Sequence, residues 1–138
     1  MASASELTGI DKKSGMSSPF VKLTVGKTTV TTNVAKKNLS PVWNELFFFE
    51  LGSDVDIKQV EITAEVRSKT VVKSEFLGTV VIPLTKVKPE RIIDQTFKLK
   101  ERKRKKEKVK VNGQIRMRIY FSKIGVKFLF LLFFLPYI

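Results

Sequence analysis

Asn38-Leu39-Ser40-Pro41-Val42-Trp43-Asn44-Glu45-Leu46-Phe47-Phe48-Phe49-Glu50 decides how the chain is read. It holds the sole tryptophan and three consecutive phenylalanines. Pro41 fixes its own φ and pushes Ser40 out of the helical region, so Asn38 to Pro41 reads as a turn. The aromatic residues that follow suit a strand. Alternation then puts Phe47, Phe49 and Leu51 on one face and Leu46, Phe48 and Glu50 on the other.

On either side of this stretch the pattern has period two. Phe20 to Val25 puts Val21, Leu23 and Val25 on one face, with Phe20, Lys22 and Thr24 on the other. Gly26-Lys27 is a turn signal, and the β-branched run Thr28 to Val34 completes a hairpin. Gly52-Ser53-Asp54 breaks the chain after the aromatic strand. Val60, Ile62, Ala64 and Val66 then alternate with Glu61, Thr63, Glu65 and Arg67. Ser68 to Ser74 reads as a polar loop around Val71-Val72, and Phe76 to Pro83 as a strand. Thr85 to Asp94 reads as a connection with one helical turn, and Thr96 to Leu99 as a short strand. After Asn112-Gly113, Ile115, Met117, Ile119 and Phe121 alternate with Arg116, Arg118 and Tyr120. Met1 to Ser17 is small and polar and reads as a loop. Short strands with little helical periodicity predict an all-β, antiparallel β-sandwich.

Composition narrows the chemistry. The 138 residues suit one domain with tails. There is no cysteine and no histidine, which excludes disulfides, thiolate metal sites and a Ser-His-Asp triad. The carboxylate pairs Asp54/Asp56 and Glu61/Glu65 read as surface charges, the glycines form no phosphate loop, and neither an enzyme nor a cofactor is expected. Met1 to Asp11 has no apolar run, so no signal peptide is read and a cytoplasmic location is expected. Lys and Arg number 26 against 13 Asp and Glu, a formal net charge of +13. Such an excess favours anionic lipid or nucleic acid as partner.

Four motifs in order carry a resemblance to C2 domains. They are Ser17-Ser18-Pro19-Phe20-Val21-Lys22-Leu23, the Asn38 to Phe49 stretch, Glu75-Phe76-Leu77-Gly78, and Gly113-Gln114-Ile115-Arg116-Met117-Arg118-Ile119. The resemblance implies a Greek-key sandwich of the type II arrangement over residues 1–124. Pro41, Trp43, Asn44, Phe47, Phe49 and Gly78 are its expected structural residues. Only Ala4-Ser5-Glu6-Leu7 matches the end of the family's first strand, so that strand is expected to be largely missing. Calcium-binding members carry loop aspartates, since Ca²⁺ needs several oxygen ligands. Here Ser18, Ser68 and Thr70 stand where carboxylates are expected, and Asp11 and Glu75 are the remaining weak metal candidates. No calcium is expected.

Lys98, Lys100, Arg102, Lys103, Arg104, Lys105, Lys106, Lys108 and Lys110 form a dense basic run, interrupted by Glu101 and Glu107. Each cation near an anionic membrane contributes about 1 kcal/mol. The reading is a calcium-independent, non-catalytic module, peripheral to membranes, that binds anionic phospholipid and/or docks a partner protein. The candidate residues are Lys22, Lys27, Lys36, Lys37, Lys103, Arg104, Lys105, Lys106 and Lys108. The alternatives are a protein–protein adaptor without lipid binding, and a basic nucleic-acid-binding domain, which lacks an aromatic platform. Residues 125–138 form an apolar tail too short to span a membrane as a helix, which needs about 20 apolar residues. Its apolar run lacks the alternation of a half-buried strand. It is expected to lie outside the domain as a product of transcript processing. The alternatives are a strand filling the gap left by the missing one, or an interfacial anchor.

Overall fold

The structure, a computed structural model, describes residues 2–5, 18–33, 42–43, 45–102, 113–124 and 128–132, with the backbone alone described for 2–5, 42–43 and 128–132. Ten strands appear among these residues. They are β1 (Ala2–Ser5), β2 (Pro19–Val25), β3 (Thr28–Thr31), β4 (Val42–Trp43), β5 (Leu46–Glu50), β6 (Glu61–Lys69), β7 (Ser74–Pro83), β8 (Ile92–Lys98), β9 (Gln114–Ser122) and β10 (Phe128–Leu132). A four-stranded sheet runs β3-β2-β6-β7, and the other six strands form the second sheet. All pairings are antiparallel. The expected sandwich is what forms, and the period-two residues are its interior. Leu23, Ile62, Val66, Ile115, Ile119 and Phe121 are wholly buried in one cluster.

The aromatic stretch behaves as its alternation requires. Phe49 is buried, Phe47 and Leu51 are half-buried against the core, and Leu46, Phe48 and Glu50 face outward. Trp43 pairs through its backbone with Ala2. Pro41 and Asn44 lie outside the described residues. Gly78 is buried opposite Val66, where the β6–β7 register shifts by a bulge.

Three strands are longer than their sequence suggests. β8 begins at Ile92 rather than Thr96, because the charge of Asp94 is met across the sheet by Arg116 and Arg118 of β9. The β6–β7 hairpin incorporates Ser68, Lys69, Ser74 and Glu75, leaving four residues as the loop. Ser68 can occupy an interior position because its hydroxyl accepts the Ser18 N–H at 3.0 Å.

The C-terminal run departs from expectation. Residues 128–132 were expected outside the domain; as β10 they stand between β9 and β5. One edge of β9 pairs with β8, and the other pairs first with β10 and then with β1. Leu132 stands opposite Arg118 and Ala2 opposite Met117, at successive positions of β9. β10 and β1 therefore lie end to end in one line, and β5 and β4 flank that line on its far side. The apolar run does not alternate, yet its register does. Leu129 and Leu131 fall on the rungs of the inward-facing Phe49 and Phe121, and Phe47 and Ile119. Phe128, Phe130 and Leu132 fall on the rungs of the exposed Glu50, Phe48 and Leu46.

Candidate functional site

The β6–β7 loop is the most exposed apolar feature among the described residues. Thr70 closes it. Its N–H and its hydroxyl both donate to the Lys73 carbonyl, at 2.8 and 2.7 Å, and the hydroxyl accepts the Lys73 N–H at 3.1 Å. This tight closure pushes Val71 and Val72 to the tip, where they are 105% and 92% exposed. Isolated exposed apolar residues are common on proteins; two adjacent, fully exposed β-branched residues held out by a closed turn are not. Lys69 and Lys73 flank them, and the Lys73 ammonium lies 3.1 Å from Glu75. Behind the loop a concavity of about 460 Å³ is lined by Phe20, Thr31, Asn33 and Lys69. From sequence alone this tip reads as a polar loop. The available signal was Lys69-Thr70-Val71-Val72-Lys73, an apolar pair bracketed by cations.

Hydroxyl residues stand at the same end where the family's carboxylates would be, and they have structural duties. Ser68 holds Ser18, and Thr70 holds Lys73. Glu75 is engaged by Lys73, and Asp11 lies outside the described residues. The described residues contain no group of three or more Asp or Glu placed to hold a metal.

Of the expected basic residues, Lys22 and Lys27 are described, and they stand apart from each other. Lys22 is exposed in the middle of β2, across from Thr31 and Glu65. Lys27 sits in the β2–β3 turn, at the end of the sandwich opposite the Val71-Val72 tip. Lys36, Lys37, Lys103, Arg104, Lys105, Lys106 and Lys108 lie outside the described residues. The first part of the basic run is built into the fold. Leu99 is buried in the core, and Lys100 exchanges two backbone hydrogen bonds with Thr79. The Arg102 guanidinium lies 4.2 Å from the Phe76 ring centroid and 3.7 Å from Glu65. Such cation–π contacts contribute about 0.5–1 kcal/mol at exposed sites. Phe76 is thus buried on the outer face of its sheet, under an arginine that belongs in sequence to the basic run.

Two carboxylates fasten β8 and its preceding turn to β9. Asp94 accepts from Arg116 at 2.8 and 2.9 Å and from Arg118 at 3.1 and 3.3 Å. The Arg116 hydrogen bonds, and then those from Arg118, lower its pKa to about 2. Glu90 adopts a left-handed backbone, φ 62°, which a non-glycine residue holds only at some cost. Its carboxylate accepts the Lys123 N–H and the hydroxyls of Ser122 and Tyr120. The Lys123 contact is the main cause of its lowered pKa, and the carboxylate in turn raises that of the Tyr120 phenol. The folded Asp94 lies below the usual aspartate value of about 3.9. Its stabilising contribution is therefore present above that value and is lost as pH falls from about 4 towards 2. Asp94→Asn is expected to flatten the fall of the thermal midpoint over that window. Identical slopes for the parent and variant would contradict the assignment.

The described residues contain no helix long and apolar enough to cross a membrane. The family model for the C2 domain matches residues 1–99. Extended synaptotagmin-2 of Mus musculus is 32% identical over 91 residues, covering 63% of this chain and 10% of that protein. Multiple C2 and transmembrane domain-containing protein 2 of the same species is 36% identical over 85 residues, covering 62% of this chain and 9% of that protein. The chain thus spans about a tenth of the length of these curated relatives. The C2A domain of plant Extended Synaptotagmin 1 superposes with a TM-score of 0.69 over 98% of this chain and 92% of that one; at 23% identity this is a likeness of fold. The C2A and C2B domains of Extended-Synaptotagmin 2 give a TM-score of 0.61 at 28% identity, over 86% of this chain and 39% of that one. The motifs, the two-sheet sandwich and the family match agree, and the chain belongs to the C2 domain family.

Proposed function

We propose that this C2 domain is a non-catalytic module that docks on anionic membrane surfaces without calcium, leading with the β6–β7 loop. C2 domains of the extended-synaptotagmin type generally bind membranes or proteins. The observation that carries the membrane reading is the Val71-Val72 tip, projected between Lys69 and Lys73. Burying a valine side chain is worth roughly 1.5–3 kcal/mol, and each lysine near an anionic surface adds about 1 kcal/mol. Two of each make a usable, reversible anchor. Asn33 lines the concavity beside the loop. Arg102 lies over Phe76, near the start of β7 at the same end. Lys36, Lys37 and the cluster of Lys103, Arg104, Lys105, Lys106 and Lys108 follow those two residues and supply additional charge in this reading. Lys22 and Lys27 are secondary, because they stand on another face and at the other end. Calcium independence rests on Ser18, Ser68 and Thr70 in place of carboxylates. The reading places the domain at the cytoplasmic face of membranes, as a peripheral module.

Vesicle co-sedimentation tests the proposal. Binding to anionic vesicles is expected to be equal in EGTA and in calcium. Replacing Val71 and Val72 by aspartate should weaken it by at least roughly 100-fold, the lower end of what burying two valines contributes. Lys69→Glu with Lys73→Glu should weaken binding to anionic vesicles and lower the salt sensitivity of what remains. Unchanged binding in the valine variant would remove the loop from the interface, and a calcium requirement would overturn the calcium assignment.

A further inference from the structure

Where the two sheets part, β7 and β8 face one another as edge strands. β7 ends the four-stranded sheet, and β8 pairs only with β9 among the described residues. Between them runs a groove of about 460 Å³. Its floor is apolar, formed by Val80, Ile82, Val87, Ile93, Phe97 and Ile119. Lys86 stands at one end and Lys98 and Lys100 towards the other, with no carboxylate among the lining residues.

The backbone at this seam is arranged for pairing. The Leu99 N–H bonds to the Gly113 carbonyl at 3.0 Å. In an antiparallel pair the hydrogen-bonded positions recur every two residues. Phe97, Gln95 and Ile93 therefore bond towards β9, opposite Ile115, Met117 and Ile119. The N–H and C=O groups of Ile92, Asp94, Thr96 and Lys98 point away from β9, to the open edge. On the facing strand one rung is already made. Thr79 and Lys100 exchange N–H···O=C bonds of 3.0 and 2.9 Å. By the same period, the N–H and C=O of Val81 stand at the next rung position on that edge, and Pro83, which has no N–H, ends it.

We infer that this seam is a protein-docking site that takes an extended peptide segment as an added strand on β8, apolar at its centre and acidic at both ends. Backbone pairing supplies general affinity, and alternate side chains supply selectivity. The inward-facing side chains of such a segment lie over the apolar floor. Its acidic ends meet Lys86 on one side and Lys98 with Lys100 on the other. A basic or uniformly polar strand gains neither contact. The inference is independent of the membrane reading, because it uses neither the Val71-Val72 loop nor the basic residues assigned there.

The test uses the whole chain and a short synthetic peptide with alternating valine and threonine at its centre and two glutamates at each end. Two control peptides carry lysines at the ends, or N-methyl groups on alternate central amides. Binding is read by amide hydrogen exchange and by titration. The first peptide is expected to bind and to slow exchange at Ile92, Asp94, Thr96 and Lys98, with both controls binding at least about tenfold more weakly. Lys98→Glu with Lys100→Glu should lose affinity by about tenfold. Thr96→Pro removes one edge donor and none of the bonds to β9; it should lose binding, whereas Thr96→Val retains it. If Thr96→Pro fails to fold, the N-methylated peptide and the lysine variant still decide. Equal binding of the N-methylated peptide, no binding at millimolar concentration, or protection of the same amides by self-association without peptide would each overturn the proposal. In the last case the occupant is a second copy of the chain.

Discussion

Deletion of residues 126–138 is expected to lower the unfolding midpoint by more than about 10 °C and to make the protein aggregate. Five residues of this segment pair with β9 on one side and β5 on the other. Without them, Arg118 to Ser122 and Leu46 to Glu50 face an empty slot in the middle of the six-stranded sheet. Leu129 and Leu131 hold the rungs beside Phe49, Phe121, Phe47 and Ile119. Emptying five paired positions in the middle of a sheet is expected to remove a large share of a typical total stability of about 5–15 kcal/mol. Two opened edges then offer unsatisfied backbone groups to other chains. The measurement is a thermal melt followed by light scattering, on the parent and the truncated chain. A truncated chain with the parent's midpoint and better solubility would return the tail to the status its composition suggested, outside the domain. Loss of vesicle binding with an unchanged midpoint would make it an anchor instead.

Phe121→Ala is the most damaging single substitution expected. Phe121 is 0% exposed, sits on the central strand of its sheet, and belongs to the main core cluster. Large-to-small changes at such positions cost about 3–5 kcal/mol, because the lost transfer energy is joined by a cavity that neighbours fill incompletely. β9 is held on both edges, so the backbone has little room to relax into the void. The denaturant midpoint should fall with little change in slope. Phe48→Ala is the comparison, since Phe48 is 49% exposed and on the outer face of the same sheet; its effect should be under about 1 kcal/mol. Equal effects would mean that the face assignment of the sheet is wrong.

The residues that alternate cleanly were legible from the sequence, and they carry the fold. Val60, Ile62, Ala64 and Val66 are the plainest case: all four are buried, because one face of an antiparallel sheet is interior and the other is not. Legibility failed where a partner far along the chain changes what a residue can do. Asp94 looks like a turn residue until Arg116 and Arg118 stand beside it. Arg102 looks like one cation among nine until Phe76 lies beneath it. The run from Phe128 to Leu132 has no visible period, because both of its faces are apolar and only the register with β5 and β9 tells them apart. The Val71-Val72 tip was hidden for a simpler reason: the loop was legible, but how far its two valines stand out is a property of the folded surface.

The line shared by β1 and β10 also governs the order in which the molecule can be made. The four-stranded sheet draws on residues 19–83 and can close through the β2–β3 and β6–β7 hairpins while later residues are still being synthesised. The six-stranded sheet cannot. Ala2 to Ser5 pair with Gln114 to Met117, so the earliest described residues must wait for a partner more than a hundred positions later in the sequence. Waiting of this kind is slow, since loop closure must come before distant contacts can stabilise anything. Until β9 arrives, the inner face of the first sheet lacks that strand's cover, and apolar surface left open in this way is where a partly folded chain associates with its neighbours.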